Sequence, residues 1–172
     1  NLNIPLKFNI ASATIDKFAN TNRVALKNIK FNGELENLSF GFIQKKSNQL
    51  ANALDNLNLN RNDRVGIILG QCPETLISHI SCFKSGKISI PLFNLFGVEA
   101  LKFRLNDSSA SVVICDKYGL EKLKKIKDSL PSLKYIICTD KYDNRKDIIF
   151  FDSLLSKSKD EYKNLNTDSD DP

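Results

Sequence analysis

Histidine occurs once in this chain, at His79, and that scarcity excludes a metal centre built on several imidazoles. Arginine is nearly as rare: of the 25 basic residues only Arg23, Arg61, Arg64, Arg104 and Arg145 carry a guanidinium, so the net charge of +5 is mostly lysine's. Specific contacts to phosphates and base edges favour arginine's bidentate fork, so a lysine-dominated balance argues against sequence readout. With so many asparagines beside the lysines, the charge reflects compositional bias, and no nucleic-acid partner is expected. The four cysteines, Cys72, Cys82, Cys115 and Cys138, form no C-x-x-C pair and no ligand spacing; lying in or beside apolar runs, they read as buried reduced thiols. No window approaches the roughly 18 apolar residues that a membrane span needs. The opening NLNIPLKFNIASA lacks the basic region and long apolar core of a secretory signal, so a cytoplasmic protein without a transmembrane segment is expected.

Glycine-rich phosphate loops are missing too. A dinucleotide fingerprint needs G-x-G-x-x-G directly after a strand, whereas the apolar run VGIIL at 65–69 is followed by GQCPET with the single Gly70. FKSGK at 83–87 has a glycine and a lysine but no preceding glycine loop. These gaps disfavour a nicotinamide oxidoreductase. Hydrolytic machinery is equally thin. His79 lies one position from Ile80 within PETLISHISCF and reads as a partly buried structural histidine. Cys82, three positions on, lacks the orienting group and exposed thiolate of a nucleophilic pair. Asp107 and Asp116 flank a strand without forming a paired carboxylate site; Asp116 is placed to cap a following turn, and the tail cluster Asp168, Asp170 and Asp171 reads as a solvated linker.

What the chain does hold is a regular alternation. At 172 residues and 41% hydrophobic it can form one domain, burying roughly two thirds of its unfolded surface. RVALKNI (23–29) reads as a strand leading into a hairpin around Gly33, after which Ser39 caps a helix with Ile43, Leu50, Ala51, Leu54 and Leu57 on its apolar face. VGIIL, KISIPL (87–92), SVVIC (111–115) and YIIC (135–138) are apolar without alternation, the mark of strands covered on both faces. Between them lie three helical stretches: one starting at Cys72 and Pro73 and stopping at Gly86, one over GVEALKFRLNDS with Val98, Leu101 and Leu105 inward, and one over GLEKLKKIKDSLPS with Leu120, Leu123 and Ile126 inward. The lysines of KLKKIKD (122–128) fall on the face opposite the apolar one. Strand starts near Val65, Ile88, Val112 and Tyr135 recur every 23 or 24 residues, room for one strand, one three-turn helix and two short loops. The fold class is therefore α/β: βαβ repeats forming a largely parallel sheet covered by helices. A polar turn TDKYDNRKD (139–147) then leads to IIFF and a short helix DSLLSKS, and the tail DEYKNLNTDSDDP, without an apolar face, reads as a surface connection.

One loop stands out. In PLFNLFGVEAL a strand runs straight into an aromatic and glycine turn and then a helix, at the strand end where α/β proteins place ligand contacts. Asn94, Phe96 and Gly97 are the candidate site residues: Phe96 fills a gap over the sheet, Gly97 lets the chain enter the helix closely, and the exposed turn lines a cleft wall.

Four segments, FNIASATIDKFA, LSFGFIQKKSNQLANAL, NRNDRVGIILGQCPETLISHISCFKSGKISIPLFNLFG and EALKFRLNDSSASVVICD, taken in order over residues 8–172, resemble the opening part of an AMP-forming acyl-CoA synthetase, in the adenylate-forming family that includes luciferases and peptide-synthetase adenylation domains. The front segment and PLFNLFG are more similar to the acetyl-CoA and medium-chain branches than to luciferase. The resemblance implies a two-step reaction. A carboxylic acid attacks the α-phosphate of Mg2+·ATP to give an acyl-adenylate and pyrophosphate, and the CoA thiol then takes the acyl group and releases AMP. It implies ATP, CoA and Mg2+ for a full-length enzyme, none of them bound tightly by these residues alone. By the same resemblance Asn94, Phe96 and Gly97 lie where CoA reaches the cleft, while Asp63, Arg64, Pro73, Glu74 and Gly86 match architectural positions. Residues 1–166 then form an incomplete N-terminal α/β region and 167–172 an acidic connection toward a Ser/Thr/Gly-rich phosphate loop that is not in this sequence. The chain, starting at Asn1 and stopping after TDSDDP, reads as a piece of something longer, inactive by itself. The alternative is a non-enzymatic binding or scaffold domain.

Overall fold

The computed structural model describes residues 5–141 and 148–172. A short helix α1 (Ile10–Thr14) is capped by Asn9, whose side chain accepts from the amides of Ala11 and Ser12. Strands β1 (Val24–Ile29) and β2 (Leu35–Ser39) pair antiparallel, and Gly33 supplies the left-handed φ of 82° in the turn between them. Ser39 then caps α2 (Phe40–Asn56), its Oγ accepting from Phe42 N at 3.1 Å. That helix is rich in Asn, Ser, Phe and Gly, each a few tenths of a kcal/mol to about 1 kcal/mol poorer than Ala in a helix. Full burial of Ile43, Leu50 and Leu54, at about 1.5–3 kcal/mol per side chain, outweighs that deficit.

The repeats follow: β3 (Arg64–Ile68), α3 (Pro73–Lys84), β4 (Ile88–Pro91), α4 (Val98–Asp107), β5 (Val112–Cys115), α5 (Lys117–Ile126), β6 (Tyr135–Cys138), β7 (Ile148–Phe150) and α6 (Phe151–Ser156). The five strands β3 to β7 pair only in parallel, in the order β4-β3-β5-β6-β7. The residues that recur along the sequence are neighbours across the sheet: Val65 faces Val112, Val112 faces Tyr135, and Arg64 faces Ile88. Successive side chains of a strand alternate between two cores. Val65, Ile67, Val112, Ile114 and Ile137 pack with α1, α2, α3 and α6. Ile68, Val113, Cys115, Ile136 and Cys138 pack with α4 and α5 on the other face. This two-sided burial is why the strand sequences lack polar alternation. No helix among the described residues is long and apolar enough to cross a membrane.

One boundary moves. The last connecting helix starts at Lys117, two residues before Gly119, because Asp116 caps it by accepting from Gly119 N at 2.7 Å. Of the polar turn TDKYDNRKD, residues 142–147 lie outside the described residues.

The tail is tied along the helices that precede it. It runs over the surface but is no free linker: Asn48 Nδ2 donates to Asp160 O at 2.8 Å, Asn52 Nδ2 to Lys159 O at 2.8 Å and Glu161 O at 2.9 Å, and Leu165 N to Lys84 O at 2.8 Å. Its acidic cluster is engaged as well, Asp168 with Lys7 and Asp171 with Arg61. The strap is tied by polar contacts from helices far back in the sequence, which leave no apolar periodicity in the tail itself.

Candidate functional site

Strand order fixes where a ligand can enter. From β3 the chain crosses to β4 on one side and returns to β5 on the other, so the connections diverge beyond the carboxyl ends of β3 and β5. A cleft of about 600 Å³ opens there, lined by Leu69, Gly70 and Gln71 after β3, Asn94 after β4, Asp116, Lys117 and Tyr118 after β5, and Thr139 and Asp140 after β6, with Cys72, Glu74 and Phe31 at its rim.

Helix starts at such a cleft usually offer free N–H groups to phosphate. At α5 side chains take them, whereas no side chain caps α3 or α4. At α5, the Asp116 carboxylate takes the Gly119 amide and the Asp140 carboxylate takes the Lys117 amide at 2.7 Å. At α3, Pro73 has no N–H to give and Glu74 puts a negative charge in the first turn. Glu74, Asp116 and Asp140 against Lys117 give the cleft lining more acidic than basic side chains. Among the described residues no group of three or more His, Cys, Asp or Glu side chains is placed to hold a metal ion.

The start of α4 shares with α3 an acidic first turn, here Glu99, and the lack of a side-chain cap. Its N-cap is Gly97, which brings no capping side chain. Gly97 has an ordinary extended φ of −67°, and a Cβ built on it meets nothing within 4 Å. Close entry into the helix is therefore not what glycine serves here; the position is open to the outside. Phe96 is half-buried against the second core, as expected of a gap filler, and meets Phe93 edge-on at 6.1 Å. The Arg104 guanidinium lies 4.2 Å from the Phe96 ring centroid, with Nη1 donating to Ala100 O at 3.1 Å. Lys122 Nζ donates to Asn94 O at 2.6 Å and Phe96 O at 3.0 Å. An aromatic ring, a guanidinium and a helix start without a side-chain cap thus lie together, with the carboxylate of Glu99 in the same first turn.

Of the three sequence-derived residues, Asn94 lines the cleft, whereas Phe96 and Gly97 sit at the start of α4, outside the residues lining it. Arg104 and Lys122 were not singled out from the sequence. Arg104's rarity as one of five arginines was a faint signal; Lys122 sat inside a run of lysines assigned to a solvated face.

His79 Nδ1 is 3.1 Å from Ser89 Oγ, and burial lowers its pKa. Cys82 is fully buried and burial pushes its thiol up to about 12, which removes it as a nucleophile. All four cysteines are free thiols. Cys115 and Cys138 face each other across β5 and β6, and the Cys115 thiol is held well up by its hydrogen bond to Cys138 and by burial.

A family model described as AMP-binding enzyme matches residues 15–172. The chain is 33% identical over 105 residues to long chain acyl-CoA synthetase 8 of Arabidopsis thaliana, covering 61% of this chain and 15% of that protein. It is 34% identical over 136 residues to acetyl-coenzyme A synthetase of Bacillus subtilis (strain 168), covering 76% of this chain and 23% of that one. In fold it matches the crystal structure of Brucella canis acyl-CoA synthetase with a TM-score of 0.87 at 22% identity, over 96% of this chain and 30% of that chain. These residues thus span less than a third of each relative.

Proposed function

The chain belongs to the AMP-binding enzyme family, and on that premise we propose that it is the N-terminal α/β part of an ATP-dependent, AMP-forming acyl-CoA synthetase converting a carboxylic acid, ATP and CoA to an acyl-CoA, AMP and pyrophosphate. The family match over residues 15–172 is the observation that carries this reading. In it, residues 5–172 act as a wall and not as the phosphate-handling centre. Carboxylates occupy the start of α5 and line the cleft, and the groups that bind Mg2+·ATP lie outside these residues. CoA meets the wall at the turn of Asn94, Phe96 and Gly97, where the α4 start is open and Arg104 lies over Phe96. There the Phe96 ring holds the guanidinium, which offers a planar charged group to CoA, orienting the thiol without taking part in bond making.

The test is carboxylate-dependent thioester formation by the full natural chain that carries residues 1–172, across acetate, propionate, medium-chain and aromatic acids. AMP released in step with acyl-CoA for at least one acid supports the reading. Absence of both products for every acid overturns it.

A further inference from the structure

We propose that Lys122 is a positioning residue for the Asn94–Gly97 turn. It stands on α5, in a different βα unit, 28 and 26 residues beyond the two carbonyls it holds. Its ammonium reaches both, Asn94 O at 2.6 Å and Phe96 O at 3.0 Å, and charge-assisted bonds of this kind are about twice as strong as neutral ones. The helices α4 and α5 cover the same face of the sheet, in one core with Leu101, Leu105, Leu120 and Leu123, so the base of the Lys122 side chain is carried on a rigid element. Within the turn, the Phe96 amide donates to Phe93 O at 3.0 Å. With its carbonyls drawn to Lys122, the turn leaves Gly97 and the uncapped start of α4 open. Lys122 therefore sets the shape of the wall from behind and touches no substrate itself.

The role in the reaction rests on the reading of this turn as the surface that meets CoA, and two measurements on the full natural chain separate the two claims. The first is amide hydrogen exchange over residues 93–98. Lys122→Met is expected to speed exchange of the Phe96 amide by about tenfold while the β3 and β5 amides stay unchanged, and Lys122→Arg, which keeps charged donors, to restore most of the protection. The second compares carboxylate-dependent exchange of pyrophosphate into ATP, which needs no CoA, with thioester formation. Lys122→Met is expected to raise KM for CoA by about tenfold and to leave the exchange rate within about twofold. Unchanged exchange at Phe96 overturns the positioning role whatever the activity. Faster exchange at Phe96 with equal losses in both half-reactions, or with none, overturns its link to CoA. A wild-type chain that makes no adenylate from any acid overturns the function reading, and the hydrogen-exchange result then decides Lys122 alone.

Discussion

Asp16 and Lys84 meet at 2.5 Å across 68 positions of sequence, and the Asp16 carboxylate also accepts from Gln44 on α2 and Asn164 in the tail. One carboxylate thus joins α2, α3 and the strap. The Lys84 side chain is only 1% exposed and Asp16 20%; burial lowers the lysine's pKa, and the hydrogen bond and charge of Asp16 oppose that shift.

Lys84→Met is expected to destabilise the fold by about 3 kcal/mol, the lower end for breaking a buried pair, because the partly exposed Asp16 can recruit water. The double variant Asp16→Asn with Lys84→Met should lose less than Lys84→Met alone. Urea denaturation of the single and double variants checks this; a double variant as weak as the sum of its parts would show that the pair does not act as a unit.

Gly86 closes α3 at a φ of +61°, and a Cβ there would come within 2.9 Å of Leu165 Cδ1 and 3.3 Å of Arg61 Cγ. Gly86→Ala is expected to cost about 1–2 kcal/mol from the left-handed backbone and the clash together. Leu165→Ala in the same chain should relieve the clash and leave the backbone part. A thermal midpoint for Gly86→Ala equal to wild type would contradict this.

His79 supplies a pH dependence with a definite sign. Its pKa is lowered by burial from the ordinary 6.5, so as the pH drops below about 6.5 the unfolded chain takes up a proton before the folded one does. Stability is therefore at its full value above that pH and falls as the medium becomes more acid, until the folded-state pKa is passed. The urea midpoint should be lower at pH 5.5 than at pH 7.5, and His79→Gln should flatten the difference; an undiminished difference in the variant would place the titration elsewhere.

Much of the scaffold was legible because its determinants are local. Ser39, Pro73 and Gly86 mark helix ends by chemistry that a few neighbouring residues reveal, and the 23- to 24-residue recurrence of strands became the in-register row Val65, Val112 and Tyr135. Strand order was not legible, since nothing local tells β4 from β5 as the outer neighbour of β3. The strap escaped for a related reason: Asn48, Asn52 and Tyr162 bind partners more than 100 positions away by scattered hydrogen bonds that leave no pattern. At the candidate site, the turn itself was visible as an aromatic and glycine sequence, but its supports, Arg104 over Phe96 and Lys122 under both carbonyls, exist only once α4 and α5 are packed. Gly119 is similar: a Cβ there would come within 2.9 Å of Cys115 Cβ, so glycine is what lets α5 approach the sheet, a requirement invisible in one dimension.

The central claim is that residues 1–172 furnish a wall for CoA while the groups that handle phosphate lie elsewhere in the enzyme. Its most direct measurement is pyrophosphate and AMP release with ATP, Mg2+, CoA and a panel of carboxylic acids, run side by side on the full natural chain and on residues 1–172 alone. The expected result is stoichiometric release by the full chain for at least one acid and none above buffer by residues 1–172. Turnover by the shorter protein would contradict the account.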